Sequence, residues 1–286
     1  MITTAIICGR NDDYGGRLIE RASFSLNGLL QVFDEVIYVD WNTDPGKKIL
    51  SDELNLTNRS NLKVITVTSD RVKKIITDDT SQKMCEVLAR NIAIRRAKGD
   101  IIVSTNIDII PPPKEYLDIL MKSLQKNEMI TLSRNDIEVD DLLKNVKPET
   151  LNLNHLPLLF GANSIQNKIE VPFTCMNKQI LEQYPVNTHL TLSSIITGCG
   201  DFQVAHKELW YKIRGFEEKM TKRLYGDTNV QYKVIMSGGN VTASNFPPIY
   251  HLNHERNEDL KFRNSPEMTK KTTNADDWGF ANESFE

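Results

Sequence analysis

Thr3 to Cys8 is an apolar, β-rich run that ends in the polar, glycine-containing turn Gly9-Arg10-Asn11-Asp12-Asp13-Tyr14-Gly15-Gly16. Leu18, Ala22, Leu26, Leu29 and Leu30 then recur at three- and four-residue spacing, the period of one buried helix face. A second apolar run, Glu35 to Val39, ends at Asp40-Trp41-Asn42-Thr43, and a third strand is expected over Leu62 to Thr68. A strand, helix, strand unit with polar residues at both strand ends predicts a parallel sheet that binds its ligand along that edge.

The alternation continues. After the polar stretch Ser69 to Gln82, Met84, Leu88 and Ile92 repeat every four residues in a helix that stops at Lys98-Gly99. Ile101 to Ser104 predicts a strand, Leu117, Leu120, Met121 and Leu124 a helix, and Met129 to Ser133 another strand. From Asn135 to about Thr188 the pattern loosens, broken by Pro148, Pro157, Pro172 and Pro185. This less regular region is expected to shape an acceptor groove, and its Asp136, Glu138, Asp140 and Asp141 to form a solvated acidic face. Glycine-rich Ile195 to Asp201 is expected to lead into a helix carrying Val204, Leu209, Trp210 and Ile213, ended by the turn Gly215-Phe216-Glu217-Glu218. Tyr225-Gly226-Asp227 opens a further helix with Val230 and Val234 in register, stopped by Gly238-Gly239.

Chemistry gathers at a few of these ends. Asn106-Ile107-Asp108 follows a strand and precedes three prolines that can continue neither strand nor helix. In an extended segment Asn106 and Asp108 point the same way, a geometry for a divalent cation against a phosphate. The other reading of Asp108 is a turn former bonded to its own backbone. Asp40 suits a ribose or base contact, or a turn. Asp227 suits a helix N-cap, a role that can coexist with chemistry. His251 and His254 would face opposite sides of a straight strand, whereas a turn would bring both toward one point as metal ligands; otherwise they are surface histidines.

The 286 residues, 40% of them apolar, suffice to bury a full core. A formal charge of -3 supplies no broad basic surface, so nucleic acid is not an expected partner. Cys8, Cys85, Cys175 and Cys199 form no C-x-x-C pair, which points to reduced thiols and away from a zinc site or a disulfide framework. No secretory leader pattern opens the chain, and nowhere do about 18 apolar residues run together. A cytoplasmic protein without a transmembrane segment is the expectation.

Together these pieces resemble the GT-A nucleotide-sugar glycosyltransferases, particularly the inverting family-2-like group, with similarity to the β-1,4-galactosyltransferase type at the C-terminal motifs. Four segments between Thr3 and His254 carry the resemblance. Thr3 to Asn11 followed by Val36-Ile37-Tyr38-Val39-Asp40 is similar to the family's nucleoside-binding first strand, turn and second strand end. Ala89-Arg90-Asn91, Ala97-Lys98-Gly99-Asp100 and Asn106-Ile107-Asp108 resemble the run that ends in the metal-binding D-x-D, with Asp108 at its last acid. Gly200 through Gly215-Phe216 is similar to the segment whose glycine backbone approaches the donor, and Asp227 matches the catalytic base of the "ED" pair. His251-x-x-His254 has the spacing of the galactosyltransferase-type metal ligands. Asn106, Trp41 and Gly226 stand where the family has acids.

The resemblance implies a GT-A fold, a mostly parallel central sheet flanked by helices. It would comprise a nucleotide-binding half over about 1–133 and an acceptor and catalytic half over about 134–256. The polar tail, 257–286, reads from its own residues either as a disordered end or, given Trp278 and Phe280, as a segment that docks over the site. The resemblance implies transfer from a nucleoside-diphosphate sugar, a UDP-sugar first, to a glycan or lipid-linked acceptor, assisted by manganese or magnesium. Asp227 would be the base, and Asp108, His251 and His254 the metal ligands. Gly9, Arg10, Asn11, Asp40, Arg90, Asn106, Asp108, Gly200 and Asp201 would hold the donor. The changes at Asn106 and Gly226 motivate the alternative of a degenerate module that binds nucleotide or glycan without turnover.

Overall fold

The computed structural model describes residues 1–76, 83–160, 175–183, 200–221, 226–255 and 274–285. Among the described residues nine strands, β1 (Thr3–Gly9), β2 (Glu35–Trp41), β3 (Leu62–Val67), β4 (Ile101–Thr105), β5 (Ile109–Ile110), β6 (Glu128–Ile137), β7 (Cys175–Met176), β8 (Phe202–His206) and β9 (Asn240–Leu252), form one sheet. Its order is β3-β2-β1-β4-β8-β6-β9-β5, with β7 on β9. The sheet is mostly parallel: β3, β2, β1 and β4 run together, β6 pairs β9 in parallel, and β8 is antiparallel to both its neighbours. All seven positions of β1 and all seven of β2 are buried, as expected of strands covered on both faces.

Two apolar layers cover the sheet. On one side the helix Leu18–Val32 lays Leu18, Ala22, Leu26, Leu29 and Leu30 against Ala5, Ile7, Val36 and Tyr38. On the other, the helices Glu86–Arg96, Lys207–Lys212 and Gly226–Met236 pack on Ile6, Ile37, Val39 and Ile102. Alternation along each strand sends successive side chains to opposite layers, which is why Ile6 and Ile7 belong to different cores. Cys8 and Cys85 are buried reduced thiols. Among the described residues no helix is long and apolar enough to cross a membrane.

Three expectations change. Val204 lies in β8, not in a helix; the helix begins only at Lys207, because Phe202–His206 bonds to β4 on one side and β6 on the other. β6 runs on to Ile137, so Asn135 and Asp136 belong to the sheet rather than to a loose acidic face. Asn106-Ile107-Asp108 is a turn between β4 and β5, so strand alternation does not govern its side chains. Gln82, Pro172, Pro185, Thr188, Cys199, Tyr225 and most of the tail lie outside the described residues.

The described part of the tail packs on the Glu86–Arg96 helix and the loop after Lys212. Trp278 is 2% exposed, edge-on to Tyr211 and under the Arg95 guanidinium. Arg96 donates to the carbonyls of Gly279, Phe280 and Glu283, and Asn274 donates to those of Arg214 and Phe216. Trp278→Ala is expected to lower the unfolding free energy by about 3 kcal/mol or more in urea titration. An unchanged midpoint would show that the tail is not part of the cooperative unit.

Candidate functional site

The ends of β1, β2 and β4 lie side by side because Gly9 pairs with Asp40 and Ile6 with Ser104. At this edge the Gly9-Arg10-Asn11 turn is tied to the loop after β2. Arg10 donates to Asn42 O and pairs with Asp12 and Asp44, and the Asn11 amide donates to Lys48 O and Glu53. Asp40 is buried and accepts from Thr43 Oγ1 at 2.8 Å and Tyr38 OH at 3.3 Å. Burial pushes its carboxyl pKa up against those hydrogen bonds. Asp40, Thr43, Lys47, Thr66, Thr68 and Asp70 line part of a cavity of about 270 Å³ between the ends of β2 and β3.

The turn that ends β4 sends its two polar side chains to different partners. Asp108 meets His254 Nε2 at 3.1 Å, His251 Nε2 at 3.8 Å and Arg21 Nη1 at 3.4 Å, all through Oδ2. Its other oxygen, Oδ1, is buried and lacks a hydrogen-bond partner among the described residues. His251 sits in β9, where Ile109 of β5 is its register partner, and the chain leaves β9 just before His254. That departure swings the second imidazole back beside the first, with ring centroids 5.5 Å apart. Gly15 completes the pocket: its φ of +73° is left-handed, and a Cβ there would lie 2.5 Å from His254 Nδ1. Arg21, fully buried, holds this turn by donating to Tyr14 O and Gly16 O.

Asp108, His251 and His254 could hold one metal ion, their ligand atoms lying within 4.8 Å of one another. Each imidazole has Nδ1 against an acceptor, Asp136 Oδ1 for His251 and Glu255 O for His254, both at 2.8 Å. With an ion in place, Nδ1–H donation to these acceptors would leave each Nε2 lone pair to face it; without one, His254 Nε2–H donates to Asp108 Oδ2. Two ligands at about 2.1 Å from an ion stand roughly 3–4.2 Å apart, a span that includes both Nε2 to Oδ2 separations. Two imidazoles and a carboxylate are a donor set for a borderline divalent cation. Burial alone would raise the pKa of Asp108; the His254 hydrogen bond and the positive charges of His251, His254 and Arg21 outweigh it, and the carboxyl is held below its usual value.

Asn106 belongs to a second cluster. It accepts from Arg90 and donates to Asp201 Oδ1 at 2.6 Å, while Arg90 also reaches Ser104 and Glu86 and lies over the Phe216 ring. Asp227, in the first turn of its helix, abuts Gly200 so closely that a Cβ on Gly200 would overlap Asp227 Oδ2 at 1.9 Å. Only glycine fits there. Burial raises the pKa of Asp227; the Thr228 N–H opposes this and the charge of Asp201 adds to it.

The structure thus gathers Asp108, His251 and His254 at one corner, Arg90, Asn106, Gly200, Asp201 and Asp227 at another, and Gly9, Arg10, Asn11 and Asp40 along the strand ends. Sequence reasoning missed Arg21, Arg134 and Asp136. Arg21 carried a signal, a cation three residues after Leu18 within an otherwise apolar stripe. Arg134 and Asp136 carried none, because their partners are distant in sequence.

No protein-family model matches this chain, and no curated protein does. Solved structures do match, and they show that the fold is GT-A. S. aureus TarS superposes with a TM-score of 0.50 at 14% identity over 88% of this chain and 37% of its own. The mannosyltransferase PcManGT from Pyrobaculum calidifontis, solved with GDP-Man and Mn2+, gives 0.52 at 16% identity over 89% and 57%. GalNAc-T7, solved with UDP, GalNAc and Mn2+, gives 0.53 at 10% over 89% and 44%. The chain therefore spans well under two thirds of the length of each of these three proteins.

A carboxyl whose folded pKa is raised loses stability as pH climbs from its unfolded value through the folded one. Asp227→Asn is accordingly expected to raise the melting temperature at pH 7, with the gain vanishing below about 3.8, the ordinary value. A fall in melting temperature at pH 7 would mean that the ionised carboxylate stabilises the fold.

Proposed function

We propose that this chain is an inverting glycosyltransferase that moves a sugar from a nucleoside-diphosphate donor, a UDP-sugar first among them, to a hydroxyl of a glycan or lipid-linked acceptor. The observation that carries this is the convergence of Asp108, His251 and His254, with a buried carboxylate oxygen left unpartnered, on the polar edge of a GT-A sheet. Two proteins of that fold, PcManGT and GalNAc-T7, were solved with Mn2+ and with GDP-Man or UDP. Manganese or magnesium bound to the three residues supplies Lewis-acid stabilisation of the charge that grows on the departing diphosphate.

The remaining residues divide the work. The cavity beside Asp40 takes the nucleoside, with the buried carboxylate as acceptor for a ribose hydroxyl or ring N–H. Arg90, Asn106 and Asp201 orient the sugar, and Gly200 leaves the space that Asp227 fills. Asp227 accepts the proton of the acceptor hydroxyl as that oxygen bonds to the anomeric carbon. The bond from that carbon to the diphosphate oxygen breaks with its electron pair leaving on the diphosphate, so the configuration inverts. A raised pKa suits a base, since a more basic carboxylate takes the proton more readily.

Two variants test this with UDP-sugars and GDP-sugars in the presence of manganese. Asp227→Asn is expected to bind donor as the parent does in calorimetry and to transfer about 10²–10⁴-fold more slowly; parental turnover would remove Asp227 from the mechanism. Asp108→Ala is expected to abolish manganese-dependent donor binding, and unchanged affinity would remove the metal corner from it.

A further inference from the structure

We infer that Asp136 and Arg134 are positioning residues of the metal corner: Asp136 fixes the His251 imidazole with Nε2 toward Asp108, and Arg134 grips Asp136 and Asp201 together. The inference rests on the metal-binding role proposed for His251.

Backbone register makes the arrangement. β6 and β9 run in parallel, and Asp136 is the register partner of His251. Two residues apart on one strand, Arg134 and Asp136 stand on the same face. The register is not continuous: Leu132 pairs with Ser244, but Arg134 pairs with Ile249. Two steps on β6 thus match five on β9. Without that shift Asp136 would face Pro248, and His251 would lie beyond the end of β6. The irregularity is what puts a carboxylate beside the imidazole.

The contacts form an unbroken chain. Asp108 Oδ2 faces His251 Nε2 at 3.8 Å, and His251 Nδ1 meets Asp136 Oδ1 at 2.8 Å. Arg134 Nε lies 3.2 Å from that same oxygen, and its Nη1 lies 2.6 Å from Asp201 Oδ2. Asp201 Oδ1 accepts from Asn106, two residues before Asp108. The loop of contacts closes on the turn that presents Asp108. The side chains of Asp136 and His251 are 13% and 5% exposed, so water competes little for their bond. A carboxylate on Nδ1 selects the Nδ1–H tautomer, stops ring rotation and makes Nε2 a better ligand. Arg134 holds that carboxylate in turn and couples the metal corner to the Asn106–Asp201 corner, so the two cannot shift independently.

The test uses the full chain with two readouts. In the metal-free protein at alkaline pH, where the ring is neutral, imidazole 15N shifts are expected to report the Nδ1–H tautomer for His251, and Asp136→Leu is expected to lose it. Manganese affinity, measured by titration of the free ion's paramagnetic resonance signal, is expected to weaken about 10–100-fold in Asp136→Leu. Asp136→Asn, which keeps an acceptor oxygen at Nδ1, is expected to restore part of that loss, and it replaces the leucine variant if that one does not fold. Arg134→Met is expected to weaken manganese binding less than Asp136→Leu, with the tautomer retained. An unaltered tautomer in Asp136→Leu, or parental manganese affinity in a folded Asp136 variant while His251→Ala loses it, would overturn the proposal. A parent that shows the tautomer yet binds no manganese would overturn the metal role while leaving Asp136 as the group that orients His251.

Discussion

A carboxylate removed from water has to be met by positive charge or take up a proton. Asp108 is in that position, and the site around it follows from how the chain meets the demand. Arg21 comes from the first helix, His251 from the end of the ninth strand and His254 from the residues just after it, so two segments far apart in sequence answer one buried charge. The answer is incomplete, because Oδ1 has no partner among the described residues. One buried carboxylate oxygen left over, with two imidazole nitrogens on the same side, is a donor set for a cation rather than for a neutral ligand.

The arrangement constrains its surroundings. Arg21 can stand beside Asp108 only if its remaining donors are satisfied, and the carbonyls of Tyr14 and Gly16 do that, which fixes the glycine turn. That turn has to pass the His254 ring without a side chain, so a left-handed glycine stands at position 15. The same logic recurs across the site, where Gly200 leaves the space Asp227 occupies. In both places close approach of backbone to a neighbouring side chain, and not flexibility, explains the glycine.

Arg134 joins what would otherwise be two separate polar corners. One guanidinium spans Asp136, behind the proposed metal ligand His251, and Asp201, which holds Asn106. Rigid coupling of this kind keeps several ligating groups within a fraction of an ångström of a working geometry without help from bound ligand. It also gives Asn106 a role although it lacks the charge of an acid: its amide donates to one carboxylate and accepts from one arginine, which an aspartate could not do.

Much of the architecture was legible along the chain. The apolar runs at Thr3, Glu35, Leu62, Ile101 and Met129 are strands, and the spacing of Leu18 through Leu30 is a helix, because burial against a neighbour imposes a period that survives in one dimension. Asp108 and the two histidines were legible as candidates, since a strand end, a proline stop and a three-residue spacing are local features. What the sequence could not decide was which side chains meet. Val204 looked helical but is a strand because β4 and β6 flank it. Asp136 looked like part of a solvated acidic face but lies against an imidazole 115 residues away. Contacts of that kind depend on register between strands, here on a shift between Leu132 and Arg134, and register is set by the packing of the whole sheet. Local composition determined the elements and their polar ends; the assembled sheet alone determined their partners, because a charge finds its counterpart through space and not along the chain.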